Sequence, residues 1–411
     1  YWQASASLIC FSLGAMSKKV AFAVVIGLAV VIVVFTGLLW WNFRAGREIN
    51  LPQAPPPAVP APAPAPAPTP APVPAPAPVP KPAVDIPRAT AIAKKLDIPW
   101  SLAFLPDGSI IFTERQGRIK LIDAKEGLLP QPLLTIDEVA HRGEGGLLGI
   151  ALHPDFARNQ RLYVYYTFET GSRLANRVVR FRMDGRTLVD RKIILDNIPG
   201  SGIHDGGRLK FGPDGKLYIT AGDASSADLA QDKNSLAGKI LRLNDDGSIP
   251  SDNPFPGSSV YSFGHRNPQG IAWDSKGRLW ATEHGSSATD ELNLVEPGKN
   301  YGWPVIRGDT TSPGMVSPMV HSGQETWAPS GMAFREGSLF FAGLRGQTLF
   351  QAVIEDGTVT LKKHFVRDFG RLRDVVAGPD GMLYILTNNR DGRGVPTEED
   401  DQLIRINPEK L

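Results

Sequence analysis

From about Ala89 to the end of the chain, apolar and polar residues alternate over short runs, and the three-to-four-residue spacing of an amphipathic helix is almost absent. One phrase recurs along this region. It reads L-P-D-G-S-I-I-F-T-E from Leu105, H-P-D-F-A-R-N-Q-R-L-Y-V-Y-Y from His153 and G-P-D-G-K-L-Y-I-T-A from Gly212. It returns as D-S-K-G-R-L-W-A-T-E from Asp274, R-E-G-S-L-F-F-A-G from Arg335 and G-P-D-G-M-L-Y-I-L-T from Gly378. Each copy is a tight turn built on Gly, Asp or Asn that leads into an aromatic-rich strand. Outer-strand phrases accompany most copies: G-R-I-K-L-I-D from Gly117, R-V-V-R-F-R-M from Arg177, G-K-I-L-R-L-N from Gly238 and Q-L-I-R-I-N from Gln402. A period of roughly 45–60 residues with four strands per unit predicts an all-β, six-bladed β-propeller. The terminal strand Gln402–Asn407 is expected to complete a blade with the first strand near Ala91–Leu96. A β-sandwich is the alternative, and six similar hairpins fit it poorly.

The first 88 residues follow a different pattern. Val20 to Trp41 is an unbroken apolar run, preceded by Lys18 and Lys19 and ended by the Trp40–Trp41 pair. About 20 apolar residues span a bilayer as one helix, and tryptophans favour its interface. Leu51 to Pro82 is almost wholly Pro and Ala. Alternate prolines forbid helix and ladder hydrogen bonds and favour an extended polyproline spacer of about 3.1 Å per residue. The expected organisation is therefore an N-terminal extension (1–17), a single transmembrane anchor (18–43), a Pro/Ala-rich linker (44–88) and the propeller (89–411). Met16 reads as a natural start. Anchor and stalk place the propeller outside the cytoplasmic membrane, with the N-terminus inside.

Composition narrows the chemistry. A formal net charge of +2 without a basic block argues against a nucleic-acid partner. The one cysteine, Cys10, precedes the propeller, which rules out a disulfide framework and a thiolate metal site there. His204 is one of seven histidines and stands in S-G-I-H-D-G-G, one strand upstream of Asp223. The residues eight to ten positions before each turn glycine should reach the same face of the ring. They include Trp100, Ser101, Glu144, His204, Asp205, Arg266, Asn267, Gln269, Ser330, Arg371, Arg373 and Asp374. Polar groups at nearly every strand start imply a site at one mouth of the central channel. Arginines gathered there call for an anionic ligand.

These motifs resemble the PQQ-dependent glucose and aldose sugar dehydrogenases, the glucose/sorbosone dehydrogenase family, over about Ala91–Pro408. The resemblance is carried by G-E-G-G-L-L-G-I-A-L-H-P-D-F from Gly143, I-H-D-G-G-R-L-K-F from Ile203, G-H-R-N-P-Q-G-I-A-W from Gly264, D-E-L-N-L-V-E-P-G-K-N-Y-G-W-P from Asp290 and R-L-R-D-V from Arg371. It implies the same six-bladed fold and oxidation of an aldose at its anomeric carbon, with PQQ and Ca²⁺ as cofactors and a separate electron acceptor. His204 is then the general base, oriented by Asp223, with Arg266 acting on the quinone oxygens together with Asn267. Arg371 and Arg373, with Arg345 at a position that is lysine in relatives, bind the cofactor's carboxylates, and Glu144 lies against it. The backbone of Gly285 and Ser286 holds one calcium ion; the Glu291 carboxylate and the Tyr301 carbonyl hold a second. Three features depart from the family pattern. Glu144 stands where the soluble enzymes carry glutamine, where its charge would oppose an anionic quinone; Asp205 stands where relatives often have an amide; and the segment 307–327 is short. Two other functions stay open at this point: a calcium-dependent lactonase-like hydrolase, and a binding propeller that has lost its cofactor.

Overall fold

The computed structural model describes residues Asp85–Leu411, so the anchor and most of the stalk lie outside the described residues. Among the described residues no helix is long and apolar enough to cross a membrane. Six antiparallel sheets account for the named strands. Their inner strands are Pro99–Phe104, Leu147–Leu152, Leu209–Phe211, Pro268–Trp273, Pro329–Arg335 and Leu372–Ala377, numbered below as blades one to six. Consecutive blades pack on one another and the sixth packs on the first, forming the expected six-bladed β-propeller. The closing strand is Ala89–Ala93, which pairs antiparallel with Leu403–Ile406. Docking begins slightly upstream of the propeller boundary read from composition. Lys410 pairs with Asp85, and Asn407 bonds the carbonyls of Ile86 and Arg88.

Each blade is buried on both faces, which explains why its second strand reads as a continuous apolar run rather than a clean alternation. In the fifth blade Leu339 and Phe341 face the fourth, whereas Phe340 and Ala342 face the sixth. The hydrophobic core is consequently divided into six layers, one between each pair of neighbouring blades. Truncating a fully buried aromatic such as Phe341 or Trp280 to alanine costs about 3–5 kcal/mol.

Five of the six inner strands carry a register shift where they begin, for example between Pro99 and Ser101 and between Leu372 and Asp374. A bulge re-aims the side chains beside it. The third blade departs further: its inner strand begins only at Leu209, with backbone bonds joining Gly207 and Arg208 to Thr220 just upstream, and the backbone of His204 lies at φ 63°.

Candidate functional site

The strand-start residues do not share one level. Trp100, Ser101, Gln269, Ser330, Arg373 and Asp374 are buried inside the channel. Arg208, in the phrase G-G-R-L-K-F, pairs with Asp374 at 3.0 Å, donates to Ser101 Oγ at 2.9 Å and covers the Trp100 ring at 4.2 Å. Arg373 donates to Gln269 Oε1 at 2.8 Å and to Asn388 Oδ1 at 2.9 Å, and Ser330 donates to Gln269 as well. Burial pulls the Arg373 guanidinium down to about 9. This layer closes the channel at mid-height. The residues reaching the mouth come from the loops before inner strands and from the turns that follow second strands.

His204 and Asp223 meet there. Asp223 Oδ1 accepts from His204 Nδ1 at 2.7 Å and from the Ser225 amide at 2.9 Å, while Oδ2 accepts from Trp303 Nε1 at 2.8 Å. The arrangement fixes the imidazole tautomer with its proton on Nδ1, leaving Nε2 as a base. Positive φ at a non-glycine residue costs on the order of 1 kcal/mol and clusters at functional sites. Gly222 makes the approach possible, because a Cβ there would lie 1.9 Å from the His204 carbonyl oxygen. Asp205 points away from the mouth. It accepts from Asn176 and the Ser201 amide, its second oxygen has no partner among the described residues, and burial raises it to about 6.

Glu144 bridges two sides of the mouth. One oxygen accepts from the His204 amide at 3.1 Å and the other pairs with Arg393 of the sixth blade at 2.6 Å. Arg115 braces its loop through the carbonyls of Gly143 and Gly145. Burial opposes ionisation of Glu144, but neighbouring His284, Arg393 and the amide bond hold its carboxyl below the usual range. The Glu144 carboxylate is thus a paired charge, which lessens its repulsion of an anionic ligand.

Arg266 and Asn267 follow as neighbours. Asn267 is fully buried, its Oδ1 accepts from the Gly206 amide at 3.0 Å, and its Nδ2 has no partner among the described residues. Arg266 donates to the Gly285 carbonyl at 2.6 Å and to that of His284 at 3.2 Å, with Nε unpartnered. Arg371 pairs with Asp391 at 2.8 Å and keeps an unpartnered Nε. Arg345 is exposed in the turn between Ser338–Gly343 and Thr348–Glu355. Several donors without acceptors around one opening suit a planar, multiply charged anion such as PQQ.

The residues implied in calcium binding also converge. Gly285, Ser286, Glu291 and Tyr301 line one narrow cleft with Arg266 and Glu283, of about 10 Å³. That is room for roughly one water or ion. Burial and then the Glu283 carboxylate push Glu291 up to about 8, and the buried Asn293 Oδ1 has no partner among the described residues. Two crowded acids beside free oxygens fit a divalent cation with oxygen ligands. The Gly285 carbonyl is already taken by Arg266, so an ion there requires that guanidinium to turn. Among the described residues no cluster of three or more His, Cys, Asp or Glu is placed to hold a metal, so carbonyl ligands are needed.

Trp303, His284, Arg393, Arg115 and Arg208 were not singled out from the sequence as functional. Trp303 and Arg208 lay inside motifs already noted; Arg393 belongs to none.

A sequence profile of the Glucose / Sorbosone dehydrogenase family matches residues 96–404. The chain belongs to this family. Among the relatives of this glucose/sorbosone dehydrogenase family member, aldose sugar dehydrogenase YliI of Escherichia coli is 35% identical over 347 residues, 76% of this chain and 91% of its own. Quinoprotein glucose dehydrogenase B of Acinetobacter calcoaceticus is 37% identical over 250 residues, covering 53% of this chain and 52% of its own. The PQQ-bound aldose sugar dehydrogenase of Streptomyces coelicolor superposes with a TM-score of 0.73 at 42% identity, covering 77% of this chain and 96% of that one. The propeller is therefore that of an oxidoreductase family, the glucose/sorbosone dehydrogenases.

Proposed function

We propose that this chain is a membrane-tethered, extracytoplasmic PQQ-dependent dehydrogenase that oxidises the anomeric carbon of an aldose to a lactone. The observation that carries the reading is His204, clamped at Nδ1 by Asp223 inside a mouth with unpartnered donors. His204 Nε2 takes the proton of the anomeric hydroxyl. Asp223, held in turn by Trp303 and the Ser225 amide, stabilises the imidazolium so formed. When bound, the quinone supplies the two-electron acceptor for the substrate hydride. Arg266 and Asn267 would present N–H groups to its oxygens, and Arg371 and Arg345 would answer its carboxylates; Arg373 would join them by releasing Gln269 and Asn388. Glu144, neutralised by Arg393, borders this site. Calcium would be held by the carbonyls of Gly285 and Ser286 and, at the second position, by Glu291 with the Tyr301 carbonyl. The lactonase-like alternative needs carboxylates around a divalent ion on the axis, and the axis carries Arg208 and Arg373 instead.

The test is reconstitution of the full chain with PQQ and Ca²⁺. Its spectrum should change on PQQ addition, and dye should be reduced with aldoses. A chain that leaves the PQQ spectrum unaltered overturns the reading. Anchoring is tested separately: residues 85–411 should be shaved from the outer side of intact cells by protease, and protection from it defeats the tether.

A further inference from the structure

Below the Arg208–Arg373 layer the channel reopens towards the face carrying the Pro-Asp-Gly turns. The cavity measures about 530 Å³, within the range of small-molecule sites. Ala103, Phe104, Leu152, Phe211 and Val376 form apolar walls contributed by four blades. Lys210 alone brings an unmatched charge to it. Its ammonium donates to the carbonyls of Ile271 at 3.1 Å and Met332 at 2.8 Å, in the fourth and fifth blades. An ammonium has three N–H groups, so one is left over. No carboxylate among the described residues lies within ion-pair distance of it. The other charges at the cavity, Arg208 and Asp374, satisfy each other at 3.0 Å. Burial lowers Lys210 to about 8, which still leaves the ammonium as the main form at neutral pH.

We propose that this lower cavity is a second ligand site, which takes a small monocarboxylate with an apolar body, its carboxylate on Lys210 and its body against the apolar walls. A lone cation in an apolar cavity gains most from a single counter-charge whose remainder is apolar. A polyanion has too few donors here, and a sugar has too few polar partners. The buried Arg208–Arg373 layer lies between this site and the mouth.

The probe is 4-bromobenzoate, soaked into crystals of the PQQ-loaded protein and titrated calorimetrically into the full chain. Bromine anomalous density is expected in the lower cavity, with one equivalent bound. Lys210→Met should weaken binding about tenfold or more, the scale of a lost charge-assisted hydrogen bond. Ala103→Phe, which fills the cavity and leaves every charge in place, should abolish binding while dye-linked turnover stays within twofold. Benzyl alcohol should bind at least tenfold more weakly than the acid. Bromine found only among the mouth arginines, or equal affinity for the alcohol and the acid, overturns the proposal. So does undiminished binding by Ala103→Phe, even where Lys210→Met fails to fold.

Discussion

The fifth blade keeps its inner strand for seven residues, Pro329–Arg335, whereas the third keeps only three, Leu209–Phe211, although both grow from the same turn-and-strand phrase. Ser330 stays within the fifth-blade strand, at the bulge between Pro329 and Met332, fully buried and hydrogen-bonded, and serves packing. His204 lies upstream of the third blade's inner strand, at positive φ, with a largely buried side chain. Beside it lies Asp205, a buried carboxylate with an oxygen that no described residue satisfies. The inner strand is therefore shortest in the blade that carries the base. A strand fixes its side chains to two faces, and presenting an imidazole towards the mouth with an acid behind it needs backbone that a ladder does not allow.

The largest effect that can test this contrast is on turnover. His204→Ala should lower kcat by roughly 10²–10⁴ with PQQ still bound, the scale of a lost general base. Ser330→Ala in the fifth blade should leave kcat within about twofold. Steady-state dye reduction with a PQQ spectral titration measures both, and loss of PQQ from His204→Ala would reassign the residue to cofactor binding.

Gly222→Ala should come next. Its Cβ would meet the His204 carbonyl at 1.9 Å, so the loop must move, at a cost of about 1–3 kcal/mol, and kcat should fall with it. Gly337→Ala at the fifth blade's open turn meets nothing within 4 Å and carries only the strain of φ 78°. It should cost about 1 kcal/mol and spare activity. Urea denaturation compared with kcat separates the two.

Asp205→Asn should stabilise the protein at pH 7.5. Burial raises the folded-state value from 3.8 to about 6, so the ionised acid opposes folding above pH 6. The penalty shrinks as pH falls and is gone below about 3.8, where both states are protonated. The variant should gain on the order of 1–3 kcal/mol at pH 7.5 and nothing near pH 3.8. Denaturation midpoints across that range decide it, and a gain independent of pH would point to packing instead.

The smallest effect is expected at the rim. Glu144→Gln removes the partner of Arg393 and frees that guanidinium for an anion. PQQ binding should tighten by roughly three- to tenfold, the scale of an exposed ion pair changing hands. Equal dissociation constants for the two proteins would show that pairing already cancels the charge.

The blade count was legible because the turn from each inner strand to the second strand is built on Gly, Asp or Asn, and Pro213-Asp214-Gly215 and Pro379-Asp380-Gly381 announce themselves without tertiary context. The pairing of His204 with Asp223 was legible only through resemblance, since 19 residues separate them. Depth in the channel was not legible. Ser101 and Glu144 both precede the turns of their blades, yet one is buried on the inner strand and the other is carried by a loop. Trp303 was hidden for a different reason: it reaches Asp223 from a blade away, across 80 residues of chain. Arg393 gave no signal, because an arginine in a Gly- and Asp-rich loop reads as solvated until a partner such as Glu144 is seen opposite.

The strand Ala89–Ala93 has one further consequence, for the order of assembly. Its partner, Leu403–Ile406, lies about three hundred residues further along the chain. On the ribosome the outer edge of the sixth blade cannot be covered until Leu403–Ile406 has been made. Until then two raw edges, one at each end of an open arc, offer unpaired backbone to any neighbouring chain. Closing the ring late is thus a proofreading step of a kind: a truncated product can stack five blades yet cannot hide its seam.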